Sequence, residues 1–290
     1  MTHIPVLLQE VIAGLAPKSG ETILDATAGG GGHSEALCRA MGDSGRIVCL
    51  DADRDAIERS RVRLTGCTAL FYETNFRHLD VALESFGIKK VERILFDLGF
   101  SSYQIEESGR GFSFQRDEPL GMSFAKGDGE LTAAQILNEW EEESIATILL
   151  CYGEETRAKK IARAVVAARG QKPLSTTKEL RELIEGVIPR RGKIHPATKT
   201  FQALRIAVND EFQALSEALP KAFERLQKGG RMAVISFHSM EDRVVKRFFR
   251  QKGEVGEGLV QTKKPQIANE EEQRENPRSR SAKLRIIEKI

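Results

Sequence analysis

Asp25-Ala26-Thr27-Ala28-Gly29-Gly30-Gly31-Gly32-His33-Ser34 is the segment from which the architecture of this chain follows. Thr22-Ile23-Leu24 before it is apolar and β-prone, and residues 35–40 after it have the composition of a helix. Four glycines between a strand and a helix permit a sharp turn with positive φ, where a side chain would clash. They also let the backbone approach a ligand lying across the helix N-terminus.

The spacing narrows the ligand. A dinucleotide fingerprint needs G-x-G-x-x-G or a variant with alanine last. Here Gly29-x-Gly31 runs on to Ser34 and Gly30-x-Gly32 to Glu35, so the third small residue is missing and a nicotinamide dehydrogenase is disfavoured. Asp25, Gly29 and Gly31 instead make a D-x-x-x-G-x-G pattern. That pattern resembles the first motif of S-adenosylmethionine-dependent methyltransferases, and the competing reading is an ordinary glycine-rich turn.

On either side of the turn, further elements can be read. Residues 6–15 space apolar groups at helical intervals. Arg46-Ile47-Val48-Cys49-Leu50-Asp51 reads as a buried strand followed by a helix over 54–64. Asp51 closes that strand 20 residues after Gly31, where an acid accepts hydrogen bonds from ribose hydroxyls in nucleotide-type α/β folds. A helix cap is the plainer alternative. Residues 69–73 and 93–97 read as a third and fourth strand, the latter ending on Asp97. Asn75 and Phe76 after the third strand can bracket an adenine, by hydrogen bonding and stacking, although Phe76 also suits a core. Strands alternating with helices imply a parallel sheet with its crevice at the strand carboxyl ends, which puts Asp25, Asp51 and Asp97 along one edge.

Residues 98–125 show no period, as expected of a binding loop. Helices are expected near 132–139, with Thr132 and Gln135 as a capping box, and near 142–151, 154–169 and 176–186. One or two more over 199–219 should stop near Pro220. The α/β pattern then returns: a helix over 222–227, a glycine stop at 228–230, a strand over 231–236, a helix opening at Ser239, and a closing antiparallel pair over 259–263 and 284–288. The organisation implied is 1–105 and 210–290 as one α/β domain, interrupted by an all-helical insertion over 106–209.

Composition sets outer bounds. With 290 residues, 40% apolar and 30% charged, the chain can bury a full core. It has no apolar run long enough to span a membrane and no signal-peptide pattern, and its four cysteines lack metal-ligand spacing. A reduced, cytoplasmic protein without a metal is expected. The net charge of +2 conceals two blocks. Residues 97–156 hold 13 acids and 3 bases, and residues 157–205 hold 13 bases and 3 acids. Residues 243–290 add 13 bases against 7 acids. Such blocks suit a polyanionic partner, or they neutralise each other in the fold. His238, followed by serine before a helix, is read as a cap rather than a catalytic base.

Longer motifs point to a family. They are His3-Ile4-Pro5-Val6-Leu7-Leu8, Ala28 to Ser34, Phe96-Asp97-Leu98-Gly99-Phe100-Ser101-Ser102, and Arg110-Gly111-Phe112-Ser113-Phe114. Tyr152-Gly153-Glu154-Glu155, the run from His195 to Arg205, the run from Ile235 to Arg243, and the run from Asn276 to Lys283 complete the set. Together they resemble, over the whole chain, the bacterial small-subunit ribosomal RNA cytosine-N4 methyltransferases.

The resemblance implies a Rossmann-like methyltransferase core with an inserted helical substrate-recognition domain, S-adenosylmethionine as cofactor, and 16S ribosomal RNA of the small subunit as partner. It implies donor contacts at Gly31, Gly32, His33, Asp51, Phe76, Asp97 and Gln104. Two departures from the family pattern stand out: Tyr103 in place of proline, and Gly121-Met122-Ser123-Phe124 in place of Asp-Met-Arg-Met. Asp97 is the candidate catalytic acceptor, and Arg190, Arg191, Lys193, Arg278 and Arg280 are candidate phosphate contacts. A DNA amino-methyltransferase should carry an Asn/Asp-Pro-Pro-Tyr/Phe run after the fourth strand, whereas Asp97 is followed by Leu98-Gly99. A catalytically idle RNA-binding protein of the same fold is the remaining alternative.

Overall fold

Alternating side chains divide each central strand between two cores. The strands are β1 (Thr22–Asp25), β2 (Arg46–Asp51), β3 (Ala69–Glu73), β4 (Val91–Asp97), β5 (Leu226–Ser236), β6 (Gly258–Val260) and β7 (Lys283–Lys289). Leu24, Val48, Leu50, Ile94, Phe96, Met232 and Val234 point to one face, and Ile23, Ile47, Cys49, Leu95, Ala233 and Ile235 to the other. Both faces are buried, which is why these strands read as continuous apolar runs.

The computed structural model describes residues 4–99, 103, 108–125, 129–189 and 195–290. Its seven strands form one sheet in the order β3-β2-β1-β4-β5-β7-β6. The first five are parallel, and β7 enters antiparallel between β5 and β6. Helices α1 (Leu8–Leu15) and α2 (Gly32–Met41) cover one face. The other is covered by α4 (Leu79–Ser85), α10 (Glu211–Arg225) and α11 (Ser239–Glu254). α3 (Arg54–Arg63) joins β2 to β3, and the short α12 (Glu270–Glu275) precedes β7.

The chain divides into two compact units, 1–99 with 212–290, and 100–211. The second is helical: α5 (Ala133–Glu139), α6 (Glu142–Gly153), α7 (Ala158–Arg169), α8 (Thr177–Val187) and α9 (Thr198–Asn209). They pack on a core that includes Leu137, Leu149, Ile161, Leu180 and Leu204. Thr132 and Gln135 form the expected capping box, and Thr176 with Glu179 forms another. At Gly153 α6 runs so close to α9 that a Cβ would lie 2.5 Å from the Lys199 carbonyl oxygen.

Three expectations are corrected. Pro220 lies inside α10 rather than ending it. The missing amide bond is offset by a buried stripe on both sides of the proline: Ala214, Leu215, Ala218, Leu219, Ala222 and Phe223. The glycines at 228–230 are not a helix stop but part of β5, where the register with β4 shifts between Val91 and Arg93 and Gly229 adopts φ 77°. The cysteines are not all free, because Cys38 at the end of α2 and Cys67 after α3 form a disulfide. Nothing in their spacing signals it; the pairing depends on α2 and the turn after α3 meeting in space. Cys49 is free and buried, Cys151 free and exposed. Among the described residues no helix is long and apolar enough to cross a membrane.

Candidate active site

Asp25, Asp51 and Asp97 end β1, β2 and β4, which are neighbours in the sheet, so the three acids share its carboxyl edge. Each does something different there. Asp25 is buried beneath the glycine turn, accepting the Ser34 hydroxyl at 2.6 Å and the Thr27 amide at 3.1 Å. Burial raises its carboxyl above the usual range, against the lowering pull of Ser34, His33 and Thr27.

Asp51 holds the turn from the side. Its Oδ2 accepts the Gly29 amide at 2.8 Å and its Oδ1 the Asp53 amide at 2.9 Å. Burial pushes this carboxyl up to about 6 although both amides favour the charged form. The helix-cap role belongs instead to Asp53, whose side chain accepts the Asp55 amide at the start of α3. Gly31 is the N-cap of α2 at φ 76°, and a Cβ there would lie 3.2 Å from the Ser60 Cα. Its need for glycine therefore comes from both the backbone conformation and the packing of α3. Gly32 opens α2 against Pro5.

Asp97 faces the turn from β4. Its amide donates to the Thr27 hydroxyl at 2.6 Å, and its Oδ2 lies 3.4 Å from His33 Nδ1. Its Oδ1 is buried without a hydrogen-bond partner among the described residues. His33 is itself buried, with Nε2 2.9 Å from the Val6 carbonyl oxygen. Both ring nitrogens are thus engaged within the protein.

Asn75 uses its side chain to accept the Arg77 amide, capping the 3-10 turn Phe76–His78. Phe76 is half-buried, edge-on to Phe96 at 5.7 Å between ring centroids. His238 caps α11 as expected, accepting the Glu241 amide. Arg280 is exposed and donates to the Gln273 carbonyl; Arg278 is half-buried. Gln104, Arg190, Arg191 and Lys193 lie outside the described residues. The residues that sequence reasoning missed are Thr27 and Ser34, which orient Asp97 and Asp25. Their signal was position alone: hydroxyl residues inside the glycine turn, able to bond neighbouring backbone and carboxylates.

Asp51, Asp97 and a positive-φ glycine turn held from beneath by Asp25, gathered at the carboxyl edge of a parallel sheet, can bind the polar groups of a nucleoside-like ligand and offer Asp97 Oδ1 to an N–H donor. The ribosomal RNA small subunit methyltransferase H of Heliobacterium mobile is 45% identical over 309 residues, covering 99% of each chain. The protein of that name from Thermomicrobium roseum is 45% identical over 312 residues, covering 100% of this chain and 94% of the relative. Among solved structures, an rRNA methylase from Streptococcus thermophilus is 13% identical with a TM-score of 0.43, over 98% of this chain and 92% of the other. A family model described as the MraW methylase family matches residues 1–290, and the chain belongs to that family.

Proposed function

We propose that the protein transfers a methyl group from S-adenosylmethionine to the N4 amino group of a cytidine in the decoding region of 16S ribosomal RNA. One observation carries the reading: an Asp97 carboxylate with a buried, unpartnered oxygen, ending β4 beside a positive-φ glycine turn, in a chain that matches its family from end to end. The residues present fit the donor. Asp51 keeps lone pairs for ribose hydroxyls after accepting two amides, the turn at Gly31 and Gly32 presents backbone, and Phe76 offers a half-exposed aromatic edge. Gln104 is assigned to the same site. When bound, the donor supplies an electrophilic methyl group on a sulfonium.

The protein's own part is orientation and proton removal. The lone pair of a cytosine amino group is delocalised into the ring and must localise to attack. A carboxylate oxygen accepting one of its N–H bonds orients that nitrogen and takes the proton it must lose. Asp97 is assigned that role, with His33 and Thr27 fixing the carboxylate and its backbone. The helical region, taken as 106–209, is assigned to substrate recognition. Arg190, Arg191, Lys193, Arg278 and Arg280 are assigned to phosphate, and the assembled small subunit in the cytoplasm is the partner.

The test is transfer from labelled donor onto small subunits purified from a strain lacking the modification, with the modified nucleoside identified by mass. Label in N4-methylcytidine is expected. Tight donor binding without transfer to any subunit or RNA would favour the idle RNA-binding protein instead.

A further inference from the structure

α11 is two-faced. Glu241, Val245 and Phe249 are buried against the sheet, and Val244 and Phe248 flank them. Diametrically opposite, Arg243, Lys246, Arg247 and Arg250 stand exposed at i, i+3, i+4 and i+7, the spacing of a single helical stripe. At 1.5 Å per residue the stripe runs for about 10 Å along the axis.

Two of its charges, Lys246 and Arg247, are offset by no acid among the described residues. Asp242 is committed to the other side, pairing with Arg285 at 2.6 Å and Lys283 at 3.8 Å on β7. The outward face of α11 carries one acid, Glu254, at its far end and paired with Arg250 at 2.7 Å. Lys246 and Arg247 have no ion pair or hydrogen bond among the described residues. Cations three and four residues apart repel one another and weaken the helix that bears them. A face meant only for solvation would intersperse acids, as α3 does with Glu58 beside Arg61.

The stripe also begins in the right place. His238 caps α11 two residues after β5 ends at Ser236, and β5 pairs with β4 so that Ile235 is opposite Asp97. The first turns of α11 therefore rise from the carboxyl edge that holds the three acids.

We propose that the outward face of α11, through Lys246 and Arg247 with Arg243 and Arg250, is a phosphate-binding track for the RNA strand flanking the target nucleotide. This rests on the reading of the protein as an RNA methyltransferase. The track reads no sequence; it neutralises consecutive phosphates and fixes the direction in which the strand leaves the site.

The experiment measures binding of a fluorescein-labelled oligouridine to the full chain as a function of salt. Three proteins are compared: wild type, K246Q/R247Q, and K18A/K89A. Lys18 and Lys89 are exposed before β1 and β4, at the opposite edge of the sheet, and their replacement removes the same charge. For K246Q/R247Q the log–log salt slope is expected to shrink by about 1.4, roughly 0.7 for each single-strand phosphate no longer neutralised. R250Q, made as a second variant, is expected to reduce the slope by about half as much. Donor affinity and thermal unfolding should be unchanged, and K18A/K89A should keep the wild-type slope. An equal reduction in K18A/K89A would reduce the effect to net charge and overturn the track. So would an unaltered slope in both α11 variants while small subunits are still methylated. Absence of salt-dependent oligouridine binding in the wild type would also overturn the track, whereas failure to methylate small subunits would overturn the RNA reading itself, which distinguishes the two failures.

Discussion

His33 and Asp97 require a proton between them. Nδ1 of the imidazole lies 3.4 Å from Asp97 Oδ2, and Nε2 lies 2.9 Å from the Val6 carbonyl oxygen. Both partners are acceptors, so only the imidazolium, with two N–H groups, satisfies both. Burial, the largest influence, lowers the histidine pKa. The Asp97 hydrogen bond and charge, the Asp25 charge and the Val6 carbonyl outweigh it, and the net shift is upward. The His33 resonance in NMR titration of labelled protein should have its midpoint above 6.5 and fall in Asp97→Asn. Stability from this pair is present below the unfolded value and lost as pH rises through the folded one. A midpoint at or below 6.5 would mean that the ring is neutral in solution.

Asp97→Asn separates proton removal from binding, because it keeps the shape and removes a basic oxygen. Single-turnover methylation of small subunits under saturating donor should fall ~10²–10⁴-fold, the usual range for a missing general base. Titration calorimetry should still show donor binding. Recovery of the rate at high donor would make Asp97 a binding residue only.

The pH dependence of donor affinity should trace Asp51. Its carboxyl, raised to about 6 by burial, must be ionised to accept ribose hydroxyls well. Affinity should therefore weaken as pH falls through about 6 and level off above it. In Asp51→Asn the profile should be flatter, with affinity at neutral pH lower by about 1.5–3 kcal/mol, the range for hydrogen bonds to a charged group. For folding the sign reverses: a raised carboxyl contributes stability below its unfolded pKa and loses it as pH rises through the folded one. Equal affinity at pH 5 and pH 8, taken as about a unit or more either side of the titration, would remove Asp51 from the donor site.

The Cys38–Cys67 disulfide closes 29 residues of separation around β2 and α3. Chain-entropy arguments give such a loop about 3–4 kcal/mol. Urea unfolding with and without a dithiol reductant should differ by that order, and Cys38→Ser should behave like the reduced protein under both conditions. Coincident curves for oxidised and reduced wild type would show that the bond does not form in solution.

Gly153→Ala should destabilise the helical unit, since its Cβ would meet the Lys199 carbonyl oxygen at 2.5 Å. Relieving that clash means separating α6 from α9, at a cost of about 1–3 kcal/mol by analogy with overpacked cores. Hydrogen exchange should quicken in α6 and α9 and stay unchanged in β1 and β2. Uniform protection would show that the two helices part without strain.

Local pattern made the frame of this protein legible. Apolar runs such as Ile23-Leu24 and Ile47-Val48-Cys49-Leu50, bounded by glycine and acid, located the strands and put Asp25, Asp51 and Asp97 on one edge. Thr132 with Gln135 marked a helix start from four residues alone. Features that depend on distant parts of the chain were not legible. Thr27 meets the Asp97 amide across 70 residues, and Cys38 meets Cys67 only once α2 and α3 are packed. Pro220 misled because a local breaker was outweighed by burial on both sides of it. The helix cap that stood as the alternative for Asp51 falls to Asp53, two residues on.

The sheet order also matters for synthesis. β5 lies between β4 and β7, yet 128 residues of chain separate Asp97 from Leu226, by subtraction of the strand ends. During translation β1 to β4 emerge first, and the outer edge of β4 must wait, its amides and carbonyls unpaired, while the whole helical unit is made. Such an edge is a template for pairing with another nascent chain until β5 arrives. The helices that come between pack on a core of their own and do not need β5 to bury it. The interruption thus sets a schedule: the segment made in the middle can be ordered first, and the sheet that begins the chain is completed last.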